Sequence, residues 1–371
     1  MKGKWVVPVV APTVAILFAF GVASLALLLV DIDPIEAFRE MFKFGTTTES
    51  LISMASRAMP LYVSAVAVAV GFKMGLFNIG VEGQYLIAAP IAAWVGGLIE
   101  LPAFFHISVM LIVAMLVGGI WGWIPGELKV RRGVHEVIST IMMNFIAIGL
   151  GAYLLINFFQ QESDSLTVAT PLISESGQLP SLNPVLEAIG IEVRSGFELG
   201  SFLFIAIILG VVYHLLVNRS RFGFDLRASG LNPPAARASG VDPNRMVVRT
   251  MVISGAIAGL VGMERVLDFF HQYTSDFPRL LGFNGIAVAL LGRNHAVGMA
   301  FGALLFGFMD RAALILDLRG VPREIVTIIQ GIVVLAVVIA YEVIARMLER
   351  RAVHIAALAV VDPDDPVEVS A

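Results

Sequence analysis

The sequence predicts an all-α, polytopic helical membrane protein with about ten transmembrane segments, one of them broken or re-entrant, and with both termini in the cytoplasm. Three observations predict it. The 371 residues are 58% hydrophobic and only 15% charged, with mean hydropathy +0.86, whereas soluble domains run nearer 45–50% apolar and about 25% charged. Several stretches exceed 18 nearly uncharged residues, the length that spans about 30 Å of hydrocarbon as a helix, and in hydrocarbon only helices or closed barrels satisfy their own backbone. The basic residues are also distributed unevenly along the chain.

The first apolar segment, 5–30, follows Met1-Lys-Gly-Lys4 and reads as an uncleaved span, too long for a signal-peptide core and without a clear cleavage site before Asp31. The second is 51–72, ending at Lys73, the third 84–100 and the fourth 103–124. A basic loop, Gly126–Gly133, leads to the fifth, 137–159. A polar extracytoplasmic loop, 160–198, precedes the sixth, 199–217. Its patch Pro184–Ile189 suits either a small helix packed on the outer mouth or a solvated linker. A polar island, 218–246, separates the sixth from the seventh, 247–266. The eighth, 283–292, is too short to cross unless tilted or re-entrant. The ninth is 295–316 and the tenth 325–345, so that 1–350 form one transmembrane domain. The tail, 351–371, turns from basic to acidic, a composition expected to be disordered.

With the N-terminus in the cytoplasm, the cytoplasmic side collects Lys2, Lys4, Lys73, the three basic residues of 129–132, six arginines of 219–249, Arg293 and three arginines of 346–351, which makes sixteen of the 25 lysines and arginines. The loop 160–198 carries only Arg194 against Glu162, Asp164, Glu175, Glu187, Glu192 and Glu198. This is the positive-inside pattern.

Within the island, Leu226–Val241 reads as one short helix. Asn232 is a good N-cap, Pro233 fits the first helical position, and Gly240 supplies a left-handed end before Pro243. At about two turns it is far below the roughly 12–15 residues a lone helix needs in water, so a docked partner must help to hold it.

Several function classes lack their residues. No G-x-x-x-x-G-K-[ST] cradle occurs, His135-Glu136 is not followed by a second His at zinc-hydrolase spacing, and there is no G-x-S-x-G elbow. The six histidines are scattered, and the absence of cysteine removes thiolate and iron–sulfur chemistry. What remains is polar residues placed in apolar surroundings. In Gly71–Gln84, four glycines surround Asn78, Glu82 and Gln84. One reading is a broken helix whose polar groups line a path, since such backbone is tolerated only against protein or a water-filled cavity. The other is a tight turn at a glycine-packed interface. Glu136, Thr140 and Asn144 are four apart and share one helix face directed into the bundle, where Asn144 suits either an inter-helix hydrogen bond or solute contact. The run Ser254–Gly262 suits close helix packing. Glu264 and Asp268 beyond it can pair with Arg265 or Arg279 or meet a solute, and Asp310-Arg311 reads as an internal pair.

Three ordered motifs resemble permease subunits of bacterial ABC importers of the ribose and simple-sugar type: Phe77–Gln84, Leu231–Gly240, and Ile286–Asn294 followed by Gly298 and Leu305-Phe-Gly307. The resemblance covers about residues 50–345. Gly133–Asn144 is similar to the subgroup assigned to nucleosides such as guanosine. Two places depart from the family: Arg265–Phe270 stands where a glycine-containing turn is usual after Glu264, and Ala296 where proline is usual. The resemblance implies a transport subunit and no enzyme. It assigns ATPase coupling to Leu226, Gly230, Asn232, Pro233, Ala235, Ala236, Arg237 and Gly240. The polar residues read above, Asn78, Glu82, Gln84, Asn144 and Glu264, are the candidates for the translocation path. This chain would hold no cofactor, with ATP and Mg bound by a partner ATPase. The other implied partners are a second, different permease subunit, an extracytoplasmic substrate-binding lipoprotein and a small solute, either nucleoside or sugar; nucleic acid is not among them. Two rivals stand beside this reading. A stand-alone secondary transporter or channel would need ionisable residues in mid-span, and a membrane enzyme would need a catalytic constellation.

Overall fold

The computed structural model describes residues 20–318 apart from 26, 29, 30 and 161–166, together with 325–336, 339 and 343. Most of the expected first span, most of the second half of the tenth, Glu162, Asp164 and the tail 351–371 lie outside the described residues. The chain divides into a small unit, residues 1–39 with 319–371, and a large one, Glu40–Leu318. In the small unit the rings of Phe20 and Phe38 meet edge-on at 4.9 Å, and Ile325–Ala336 forms a short apolar helix. Helix α1 (Pro34–Gly45) leads into the large unit, which carries the site.

The large unit is a helical bundle. Its helices are α2 (Thr48–Phe72), α3 (Val81–Leu98), α4 (Ala103–Arg132), α5 (Glu136–Leu154, continued by a π turn Leu155–Phe159), α6 (Asn183–Ala188), α7 (Phe202–Arg219), α8 (Arg221–Leu231), α9 (Pro233–Ala238), α10 (Pro243–Gly259), α11 (Leu281–Leu291) and α12 (Ala296–Asp317). Among the described residues five helices are long and apolar enough to cross a membrane: α2, α4, α5 with its π turn, α7 and α12. Helix α3 is of similar length, but it opens on Glu82 and Gln84.

Helix α2 is the hub. From Val63 to Gly71 it is buried on every side, because α10, α11 and α12 pack around its second half. A helix apolar all round belongs in such a core. Helices α4 and α10 form the tightest pair. Gly118 and Gly122 face Gly255 and Gly259, and a Cβ on Gly122 would sit 2.5 Å from the Met251 carbonyl oxygen. Two small residues four apart on each helix bring the backbones into contact. The run Ser254–Gly262 thus packs as expected, against glycines the sequence did not single out.

Several expectations change. Helix α4 runs on to Arg132 and ends at Gly133, φ +68, so the basic loop at 126–133 is helical, stiffened by the Glu127–Arg131 pair. The seventh segment is not one continuous helix: α10 stops at Gly259 and, after a turn, Arg265–Phe270 continue as a π turn. The island holds two helices, not one. Leu226 and Gly230 belong to α8, which starts on its own N-cap, the Ser220 hydroxyl accepting from the Gly223 amide at 3.0 Å. The eighth segment is an 11-residue helix, α11, as its length foretold.

The two ends of the bundle differ in charge. The end bearing α8 and α9 is basic. The opposite, acidic end is crossed by 167–200, which includes α6 at the patch expected to be helical or linker. Thr170 and Ile173 donate their amides to the carbonyls of Tyr273 and His271, Leu179 donates to Leu267, and His106 Nδ1 lies 2.9 Å from Ser176 Oγ. These bonds hold the segment as a folded crust.

Candidate functional site

The site is built from two polar stretches in contact. At the end of α2 the Leu76 amide donates to Gly71 and Gly75 adopts φ +74. A Cβ on Gly71 would lie 3.0 Å from the Leu76 carbonyl oxygen, which makes glycine the fitting residue there. The chain reverses here and re-enters the bundle as α3, leaving the first amides of α3 without intrahelical partners.

Asn78 and Asn144 each accept from one of these amides, and Gln84, Ser254, Glu82 and Tyr85 extend the network. Asn78 Oδ1 accepts from the Gly80 amide at 3.0 Å, and Asn78 Nδ2 donates to Ser254 Oγ at 2.8 Å and to Gln84 Oε1 at 3.0 Å. Gln84 Nε2 returns a bond to Asn78 Oδ1 at 3.2 Å, and Ser254 Oγ donates to the Ala67 carbonyl of α2 at 2.6 Å. From α5, Asn144 Oδ1 accepts from the Gly83 amide at 2.8 Å, while its Nδ2 donates to the Ile79 carbonyl at 3.0 Å. The Glu82 carboxylate accepts from the amides of Leu280 and Gly282 at 2.6 and 2.8 Å. It therefore caps the N-terminus of α11, where free amides and the helix dipole favour an anion. The Tyr85 hydroxyl lies 3.0 Å from both Glu82 Oε1 and the Pro278 carbonyl oxygen.

Asn78, Glu82, Gln84 and Asn144 are at most 4% exposed. The structure brings these four expected path residues together, with their polar atoms bonded inside the subunit. Buried polar groups left without partners cost about 1–3 kcal/mol each, so the network locks the position of the break. Glu136 and Thr140 share Asn144's buried face as expected. Glu136 pairs with Lys129 at 2.5 Å, and Thr140 donates to the Glu136 carbonyl. Glu264 is not part of this cluster. It lies at the start of the π turn, fully buried, 3.1 Å from Arg265 Nε, whose guanidinium lies over Phe269. Asp268 accepts from the Phe202 amide at 3.3 Å. Arg57, Arg265 and Arg311 line a polar cavity of about 250 Å³ at the acidic end. Arg311 donates to Ser50 and lies over Phe44 and Phe197.

The second stretch is the island. Asn232 caps α9 by accepting from the Ala235 amide at 3.1 Å, Pro233 stands at the first turn, and Gly240 follows at φ +83. Asp242 then caps α10 through the amides of Asn244 and Arg245. Helix α9 presents Pro233, Ala235, Arg237 and Gly240 outward, whereas Ala236 and Leu226 are buried; Leu231 between the helices is 87% exposed. The α8–α9 pair rests on the break itself. Gly230 faces the backbone of Met74, where a Cβ would come within 2.7 Å of the Met74 carbonyl, and Thr250 donates to Met74 Sδ at 3.2 Å. Burial holds the Lys73 ammonium below its usual pKa, and Arg227 and Arg293 lower it further.

Sequence reasoning did not find Ser254 as an acceptor in the network, Tyr85, the Leu280–Gly282 amides or the Gly230–Met74 contact. Each is a partner distant in sequence, and a single chain carries no signal for such pairings.

Comparison with known proteins gives a concordant result. Residues 50–338 match the family described as branched-chain amino acid transport system, permease component. The chain is similar to the guanosine ABC transporter permease protein NupP of Bacillus subtilis, with 40% identity over 82% of this chain and 84% of that one. It is 30% identical to the nucleoside ABC transporter permease protein NupB of Lactococcus lactis, over 93% and 94% of the two chains. It is also 30% identical to the glucose ABC transporter permease protein TsgB13 of Haloferax volcanii, over 87% and 85%.

Proposed function

The chain belongs to the family of branched-chain amino acid transport system permease components, and from that premise we propose that it carries nucleosides inward through a multi-pass subunit of an ATP-driven importer. The relatives named for guanosine and nucleosides support the solute class, and the one named for glucose supplies the competing solute. The basic end faces the cytoplasm and both termini lie there, in keeping with the positive-inside rule. The crust at 167–200 and the arginine-lined cavity beside it form the outer face that receives a substrate-binding protein. ATP and Mg belong to the partner ATPase, and a second, different permease subunit completes the path.

The observation that carries the coupling role is the seat of the α8–α9 pair on Met74. An ATPase closing against the exposed face of α9 pushes through it on α8, whose Gly230 touches the break between α2 and α3. Through Asn78, Ser254 and Glu82, the break is bonded to α10 and to the N-terminus of α11. Access then switches by displacement of α3 and its neighbours, as in transporters whose interrupted helices move around a fixed site. On this reading Asn78, Glu82, Gln84 and Asn144 position the elements around the path, and their side chains do not touch the solute.

The test is uptake of labelled guanosine and labelled glucose by vesicles holding the whole importer. ATP-dependent guanosine uptake that needs the ATPase and the binding protein is the expected result. Uptake driven by an ion gradient in vesicles lacking the ATPase refutes the importer role, and uptake of glucose alone refutes the solute.

A further inference from the structure

Residues 271–280 join the π turn to α11, and both ends are backbone-strained: His271 has φ +51 and Leu280 φ +70. Left-handed backbone costs a non-glycine residue roughly 1–3 kcal/mol and collects at ligand clamps and switches. A cavity of about 100 Å³ lies between this segment, α3 and α5, lined by Tyr273, Ser275, Phe277 and Arg279 on one side and by apolar residues such as Leu86 and Ile148 on the other. The rings of Tyr273 and Phe277 stack at 4.6 Å and 28°. Arg279 and Ser275 are exposed, and among the described residues no carboxylate forms a salt bridge with Arg279. The Pro278 carbonyl beside the Tyr85 hydroxyl ties the segment to Glu82.

The geometry points to a half-site for the base of a nucleoside in transit, with Arg279 and Ser275 reading the polar edge of the base. This rests on the solute class proposed above. A planar base has apolar faces that suit the aromatic and aliphatic walls, and a rim of acceptors that suits the planar fork of an arginine. A sugar carries hydroxyls on nearly every carbon, and walls of this composition would leave them without partners. The enclosed volume is far below the roughly 300–1,000 Å³ of a complete small-molecule pocket. The remaining wall comes from the second permease subunit, and the ribose lies outside the enclosed part.

The experiment uses the whole importer in vesicles and compares guanosine with cytidine, which present different edges. Arg279→Ala should lower guanosine uptake about tenfold and shift the guanosine-to-cytidine ratio, since a good bidentate contact discriminates by roughly that much or more. Arg279→Lys should restore only part of the rate, and stimulation of the ATPase by the binding protein should persist. Ser275→Ala and the cavity-filling Ala152→Phe read the same site if Arg279→Ala fails to assemble. An unchanged rate, or an equal loss for both nucleosides, overturns the half-site. Failure of the solute class shows separately, in the wild-type importer, as glucose uptake without nucleoside uptake.

Discussion

The island between α7 and α10 satisfies its helix ends with its own neighbours, whereas the break between α2 and α3 is closed by partners far along the chain. Ser220, Asn232 and Asp242 each bond amides within three residues. Asn78, Gly83 and Glu82 bond groups 176, 61 and 198–200 residues away. Local satisfaction lets the island stand out from the bundle as a unit with an exposed face. Distant satisfaction ties the break to three other helices. The two regions meet at Met74, and under the coupling role proposed above the first receives a push and the second distributes it. The contrast therefore predicts that damage to the break costs assembly, while damage to the face of the island costs coupling alone.

The largest effect should come from Glu82. Glu82→Ala removes the acceptor for two amides and a hydroxyl in a buried place, a loss on the order of 3–5 kcal/mol by analogy with broken buried pairs. Melting in detergent should fall by about 10 °C, and uptake should be abolished. Glu82→Gln sharpens the point. Its amide NH₂ would face an N–H donor, so it should rescue little despite its shape. A Glu82→Gln importer that melts and transports like the native one would break the comparison, because the carboxylate would then not be anchoring α11.

Next comes Ala235 on the exposed face of α9. Ala235→Glu introduces charge and bulk on the face proposed to receive the ATPase, and a charge buried there without a partner would cost several kcal/mol. ATP-driven uptake should drop at least about tenfold while the melting temperature stays within about 1 °C, since surface substitutions away from packing seldom exceed 0.5 kcal/mol. Its neighbour Ala236 is only 3% exposed, so Ala236→Glu should lower melting as well. Equal melting losses for both variants would remove the distinction between face and support.

How much of this was legible in the sequence follows the same contrast. The cap at Asn232, the left-handed Gly240 and the shortness of α11 were readable because each depends on residues a few positions apart. The inward face of Glu136, Thr140 and Asn144 was readable from helical spacing, and one of the two roles left open for Asn144, an inter-helix hydrogen bond, is what the structure shows. Helix α8 was missed although Ser220 is a fair N-cap, because Gly223, Asp225, Arg227 and Gly230 resemble a loop when read without the break beneath them. The role of Glu82 was out of reach, because an N-terminus that needs an anion is not visible until α11 is placed against α3.

Asn232→Ala should have the smallest effect and bears most directly on the island's independence. Loss of an N-cap costs about 1 kcal/mol, and α9 has six residues and little else to hold it. If α9 is ordered chiefly by its own cap, the cost should appear as faster amide exchange confined to 233–240, with overall melting nearly unchanged and uptake reduced a few-fold. Asn232→Asp keeps an acceptor at the same place and should restore both exchange and uptake. If exchange instead rises across 73–84 as well, the two regions share one cooperative unit, and the push would be carried by joint unfolding and refolding, with no rigid helix bearing on Met74.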